Sequence, residues 1–342
     1  MKDGGVTSLL RDVSRSFYLT LRVLPAAVRS PIGLAYLLAR TTDTIADTEL
    51  IAVDLRLQAL ARWRDRILGN GKSLLAFDLF AQSQASPAER ALLERGEEAI
   101  QLLDNTEEGD RRRIRAVLET IIGGQELDLR RFGAASVKQI VALQTDADLD
   151  DYTYRVAGCV GEFWTEMCLA HLFQLDATKT AHLLENGVRF GKGLQLTNIL
   201  RDLPRDLRQG RCYIPQARLA ETGLSPANLL DAASIQSFRP LYDSYLARAE
   251  EHLQAGWDYT NSLPRTPRRL RLACAWPILI GAATLRKLRA ENPLDSARRI
   301  KISRAEVRQI MLRSILLFPW PQHWRNQFKS PPNEVASRPA FR

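Results

Sequence analysis

Cysteine, histidine and methionine are scarce in this sequence, at 4, 4 and 3 residues in a chain of 342. Cys159, Cys168, Cys212 and Cys274 form no CxxC pair and have no metal-ligand spacing. Each lies in an apolar or mixed helical context, so reduced thiols of a cytoplasmic protein are expected in preference to disulfides. The histidines are scattered and no HExxH occurs, which removes a zinc centre. No run of 18 or more apolar residues is present, so no spanning helix is expected. The first residues, MKDGGVTSLLRDVS, lack the apolar core of a secretory signal. Alternating strand patterns are missing, as is a GxGxxG after a strand. Aromatics make up only 7%, and the basic clusters Arg111-Arg112-Arg113 and Arg268-Arg269-Leu270-Arg271 have none interleaved. Nucleic acid is not expected as a partner.

What is present is an ordinary globular balance of 45% hydrophobic and 25% charged residues, with a net charge of +9. That charge calls for an anionic partner, such as diphosphate substrates or an anionic membrane surface. Apolar residues recur at helical spacing nearly throughout. The pattern predicts helices over 7–21, from Ser30-Pro31 through the first acidic motif, and over 52–68, 87–104, 107–130, 137–173, 178–203, 232–263, 266–291 and 303–317. Breaks fall at 69–71, near Asn105, and at Gly133, Pro215, Pro264 and Pro293. Few breaks and no Gly/Ser linker predict one all-α domain over residues 1–325, with a disordered tail over 326–342. The apolar part of IMLRSILLFPWPQHWRNQF is too short to span a membrane and is interrupted by Pro319 and Pro321. It either rests on a membrane interface or packs on the core.

The stretch QLTNILRDLPRDLRQGRCYIP, Gln195 to Pro215, puts Asn198, Asp202 and Asp206 four residues apart. On a helix that spacing stacks them on one face. Oxygen ligands of this kind suit Mg²⁺, and Arg201, Arg205, Arg208 and Arg211 beside them suit phosphate. Pro204 removes a helical hydrogen bond to Leu200 and should end or kink the helix. Asp206 would then reach a metal from a turn. A lone DxxxD is as well explained by a solvated face of Asp–Arg pairs. A second one, RTTDTIADTE, shifts the balance. There Tyr36, Arg40, Asp43 and Asp47 fall within about 60° on a helical wheel. Two such stripes, each with arginine, suggest helices that share a metal-bridged diphosphate.

Four blocks in order, SRSFYLTLRVLP from Ser14, the Asp43 motif, YTYRVAGCVGE from Tyr152, and the Asp202 motif, resemble the squalene and phytoene synthases. The resemblance covers roughly residues 10–290. It implies an isoprenoid synthase fold, an all-α bundle around a central cavity, and head-to-head joining of two farnesyl diphosphates. Asp43, Asp47, Asn198, Asp202 and Asp206 would bind Mg²⁺. Arg15, Phe17, Arg40, Val156, Gly161, Gln195, Arg201 and Arg211 would contact substrate, with Tyr213 and Pro215 closing a flap. Tyr152 and Tyr36 would lie by the reacting carbons, where a ring face steadies a cation or a phenol takes part in proton transfer. The glycines of the Tyr152 block serve either that approach or tight helix packing. NADPH enters as the hydride donor of a squalene synthase, with no binding residues assigned. Thr42, where carotenoid-type members often carry a second aspartate, favours squalene over dehydrosqualene or phytoene. A synthase that stops at presqualene diphosphate and a non-catalytic assembly factor are the alternatives. A cytoplasmic monomer with peripheral membrane contact is expected.

Overall fold

The computed structural model describes residues 4–13, 17–71, 77–297 and 299–329. Residues 330–342 of the expected tail, and Arg15, lie outside the described residues. Two compact units are present: residues 1–135 with 151–188, and residues 136–150 with 189–342.

The first unit is built on the Ala26–Ala46 helix, which packs against Val53–Leu68, Glu108–Phe132 and Cys159–His171. Its core follows from helical periodicity. Leu34, Leu37, Leu38, Thr41 and Ile45 are buried along one helix, and Ile114, Leu118, Ile121, Ile122 and Leu129 along another. Each large side chain buried this way stabilises the fold by about 1.5–3 kcal/mol. Gly69 closes Val53–Leu68 in the left-handed conformation at φ 84°, as the predicted break requires.

Three boundaries differ from expectation. The motif helix begins at Ala26, not Ser30, because the extended Pro25 starts it and two alanines follow. Pro31 is therefore interior, and the carbonyl it leaves without a helical donor belongs to exposed Ala27. The first helix begins at Gly4 and its described residues are helical to Val23, beyond both ends of the expected 7–21 span. The 87–104 helix is divided at Arg95 into Pro87–Glu94 and Gly96–Asp104.

In the second unit the Ile235–Ser262 and Arg268–Ala290 helices pack on each other. Residues 137–145 are not helical. Val141–Ala142 pairs in parallel with Arg211–Cys212, a short ladder that no alternating pattern announces. Gly210 makes the ladder possible: its φ is 81°, and a Cβ there would meet Ser136 N at 2.3 Å. Ordered structure runs past residue 325. Trp324 stacks on Trp257 with centroids 5.4 Å apart, Trp257 Nε1 donates to Arg325 O, and Phe328 is buried against the same ring.

Candidate active site

The first acidic stripe sits at the C-terminal end of the Ala26–Ala46 helix. Asp43 is in the last turn, and Asp47 is the capping residue whose N–H bonds Asp43 O at 2.8 Å. A helix C-terminus carries the negative end of the backbone dipole, so paired carboxylates there are unfavourable without a cation. Among the described residues, Arg56 and Arg40 lie at this helix end. Buried Arg56 donates from Nη1 to Ala46 O at 2.8 Å. Arg40 contacts Asp43 Oδ2 at 3.6 Å and Glu89 Oε1 at 2.6 Å. Half-buried Tyr36 lies one turn before Arg40. Gln125 Nε2 donates to Asp43 Oδ1. Desolvation, with the neighbouring charge of Asp47, still pushes the Asp43 carboxyl up to about 6.

Tyr152 is half-buried at the end of the Asp146–Thr153 helix, immediately before a π-helical turn at Tyr154–Gly158. Such a turn adds a residue and rotates the side chains on either side of it. Room for it comes from Gly124, where a Cβ would meet Arg155 Cβ at 2.8 Å and Val156 Cγ1 at 3.4 Å. Val156 thus lies over the Glu108–Phe132 helix. Tyr154 donates to Glu162 Oε2 at 3.0 Å, and burial followed by that carboxylate raises its phenol to about 12. Gly161 packs backbone to backbone, since a Cβ would meet Gly187 O at 1.8 Å. Its role in the fold is close helix packing.

The second stripe lies on the Ala177–Arg208 helix, which runs through Pro204 without ending. This corrects the expected break. The carbonyl that Pro204 cannot bond, that of Leu200, accepts instead from the phenol of Tyr242 at 3.0 Å. Tyr242 is fully buried. Asp206 therefore stays in helical register with Asn198 and Asp202. Ile199, Leu200, Leu203 and Leu207 form the buried face, while Asn198 is exposed and Asp202 and Asp206 are partly open. Arg201 grips its neighbour Asp202 through Nε at 3.0 Å and Nη2 at 2.5 Å, and Arg299 stands 3.9 Å away. Gln195 is half-buried one turn earlier. Arg211 is held by the two-strand ladder, and the Gln216 N–H closes the segment onto Leu143 O at 2.7 Å, with Tyr213 and Pro215 buried between. Arg15 lies outside the described residues, and so does the side chain of Phe17, the first residue of its helix.

Sequence reasoning missed a third stripe. Asp146 and Asp150 are also four residues apart, but they are neutralised: Asp150 by Lys192 at 2.8 Å and Arg248 at 3.2 Å, Asp146 by Arg248 and the Tyr245 phenol. It missed Gln125 too, although a glutamine on the apolar period of IIGGQELDL was a visible signal.

Among the described residues no group of three or more His, Cys, Asp or Glu side chains is close enough to hold an ion alone. That suits Mg²⁺, which takes one or two carboxylates and completes its shell with water and substrate phosphates. The raised Asp43 carboxyl and the oxygen donor set fit such a cation. A dinucleotide fold does not fit, because the named strands are two residues long and no Gly-rich turn follows them.

The family model for squalene/phytoene synthase matches residues 10–306. A presqualene diphosphate synthase of Zymomonas mobilis is 28% identical over 88% of this chain and 89% of its own length. A bifunctional lycopene cyclase/phytoene synthase of Phaeosphaeria nodorum is 29% identical over 67% of this chain, which spans only 37% of that longer protein. The solved structure of TcSQS with the ligand E5700 superposes with a TM-score of 0.73 at 21% identity, over 94% of this chain and 96% of that one. The fold is that of the isoprenoid synthases. With the match running almost the length of the chain, this protein belongs to the squalene/phytoene synthase family.

Proposed function

We propose that the chain condenses two molecules of farnesyl diphosphate head to head, through presqualene diphosphate, with release of diphosphate. The observation that carries this reading is the pair of carboxylates Asp43 and Asp47 at a helix C-terminus, beside Arg40, with the Asp43 carboxyl raised by burial and by the charge of Asp47. Mg²⁺ held there would supply positive charge to the diphosphate as it leaves C1 of the first substrate. Asp43 and Asp47 at the end of one helix, and Asn198, Asp202 and Asp206 on another, would each hold such a cation, with water and substrate phosphate completing its shell. Arg40 and Arg201 would bind phosphate oxygens: Arg201 is paired with Asp202, and its guanidinium would be open to an anion were that carboxylate to ligate a cation. Tyr152 and Tyr36 face the allylic cation, and the double bond of the second substrate attacks it before a proton is lost.

Conversion of the intermediate to squalene needs a hydride. NADPH would be its donor, bound on a surface other than a dinucleotide fold. A second reading, a synthase that stops at presqualene diphosphate, is favoured by the relative of that name, matched over nearly its whole length. Organic extracts of reactions with farnesyl diphosphate and Mg²⁺, run with and without NADPH, separate the two. Squalene only with NADPH supports the first. Presqualene diphosphate under both conditions supports the second. Preference for geranylgeranyl diphosphate, or one conjugated triene under both conditions, removes the squalene reading.

Peripheral membrane contact belongs to the same proposal. Leu312, Ile315 and Leu316 are exposed on the Arg304–Leu317 helix together with Arg304, Arg308 and Arg313, and exposed Trp320 follows its end. No described helix is long and apolar enough to cross a membrane. An exposed apolar stripe on a basic helix suits an anionic interface. Sedimentation with anionic vesicles should carry the wild type down and leave a variant with all four residues changed to serine in solution. Equal recovery of both would count against this face.

A further inference from the structure

We propose that Gln125 is a positioning residue for the first acidic stripe and presents its Oε1 to a water on the bound divalent cation. The proposal rests on the metal reading above and adds a residue to it. Position 125 continues the buried stripe Ile114, Leu118, Ile121, Ile122 and Leu129. Packing alone would favour an apolar side chain there. The neighbouring Glu126 is accounted for by its ion pair with Arg64 at 2.9 Å. Gln125 has no such partner. Its one hydrogen bond sends Nε2 to Asp43 Oδ1, spanning two helices of the first unit.

The chemistry of the amide then fixes the rest. An ionised Asp43 only accepts hydrogen bonds, so the NH₂ group must face it and the carbonyl oxygen must turn away. That oxygen is buried and accepts no hydrogen bond among the described residues, in a side chain only 9% exposed. A buried acceptor of this kind calls for a donor. Water on a divalent cation is a strongly polarised donor, and the metal reading above puts such a cation at Asp43. Orientation of a metal-ligating carboxylate by a hydrogen-bonded neighbour commonly changes metal affinity by about 10–100-fold.

The test is equilibrium dialysis of Mn²⁺ with the full chain, with and without inorganic diphosphate. Gln125→Leu and the closer-sized Gln125→Met should each weaken Mn²⁺ binding by about tenfold or more. Gln125→Glu, which keeps an oxygen at this place, should bind as well as the wild type or better. Thermal melts in chelator provide the second readout. Gln125→Leu and Gln125→Met should melt no lower than the wild type, since each removes an unmet buried acceptor. A purely structural glutamine would give the opposite pattern, a lower melt with unchanged Mn²⁺ affinity. Affinity within twofold of wild type in a folded Gln125→Met protein overturns the inference while leaving the metal reading standing. If Asp43→Ala also binds Mn²⁺ as the wild type does, or if the wild type binds none, both fall together.

Discussion

At the scale of single residues, Asp43 carries the most information. Its carboxyl is raised to about 6 by desolvation and by Asp47. The sign of the consequence follows directly. Between the unfolded value near 3.8 and about 6, the folded protein binds more protons than the unfolded one. Without metal, this group's contribution to stability declines as pH rises through that window. Metal and proton also compete for the same oxygens. The Mg²⁺ concentration for half-maximal activity should rise steeply as pH is lowered below about 6, and a series of Mg²⁺ titrations between pH 5 and 8 will show it. Asp43→Ala should lose essentially all turnover while its circular dichroism remains that of the wild type. An active Asp43→Ala enzyme would remove the site assignment.

At the scale of elements, the Ala177–Arg208 helix shows what a local rule can and cannot decide. The rule that proline deprives Leu200 of a donor is correct. The compensation comes from Tyr242, on another helix and 42 positions along the chain. Tyr242→Phe should cost about 1–3 kcal/mol, because it leaves a buried carbonyl unpaired. In a Pro204→Ala background, where residue 204 regains its N–H, the same change should cost much less. Urea denaturation of the four proteins in this cycle measures the coupling, and additive effects would refute it. The helices and the two acidic motifs were legible because apolar period and spacing are local properties. What was not legible is pairing at a distance. The Asp146–Asp150 stripe has the same spacing as the other two, and only Lys192 and Arg248 reveal that it is neutralised. The Tyr154–Gly158 turn was hidden for a similar reason, since its extra residue fits only against Gly124. Gly161 is a clearer case of the same kind. Gly161→Ala would drive a methyl into the Gly187 carbonyl, and we expect a loss of about 1–3 kcal/mol or failure to accumulate folded protein. Thermal melts of the purified variant decide this.

On the scale of the whole molecule, the family match ends at residue 306, yet the second unit continues to use the chain beyond it. Trp324 and Phe328 complete an aromatic cluster with Trp257 and Phe318, and Arg265 lies over the Phe318 ring at 5.5 Å. Deleting everything after Leu317 should uncover Trp257 and destabilise the protein by about 3–5 kcal/mol. Chemical denaturation followed by tryptophan fluorescence reads that loss. Unchanged stability would mean that the cluster is an ornament on a unit already complete without it.

The Pro204–Tyr242 pair also constrains the order in which an ancestral chain can have acquired its residues. A carbonyl oxygen has two lone pairs, so a tyrosine arriving first could share Leu200 O with the ordinary helical donor at nearly no cost. Proline arriving first would have left that oxygen bare in the core of every intermediate descendant. The passable route runs through tyrosine, and an ancestor reconstructed along this lineage should carry Tyr242 before it carries Pro204.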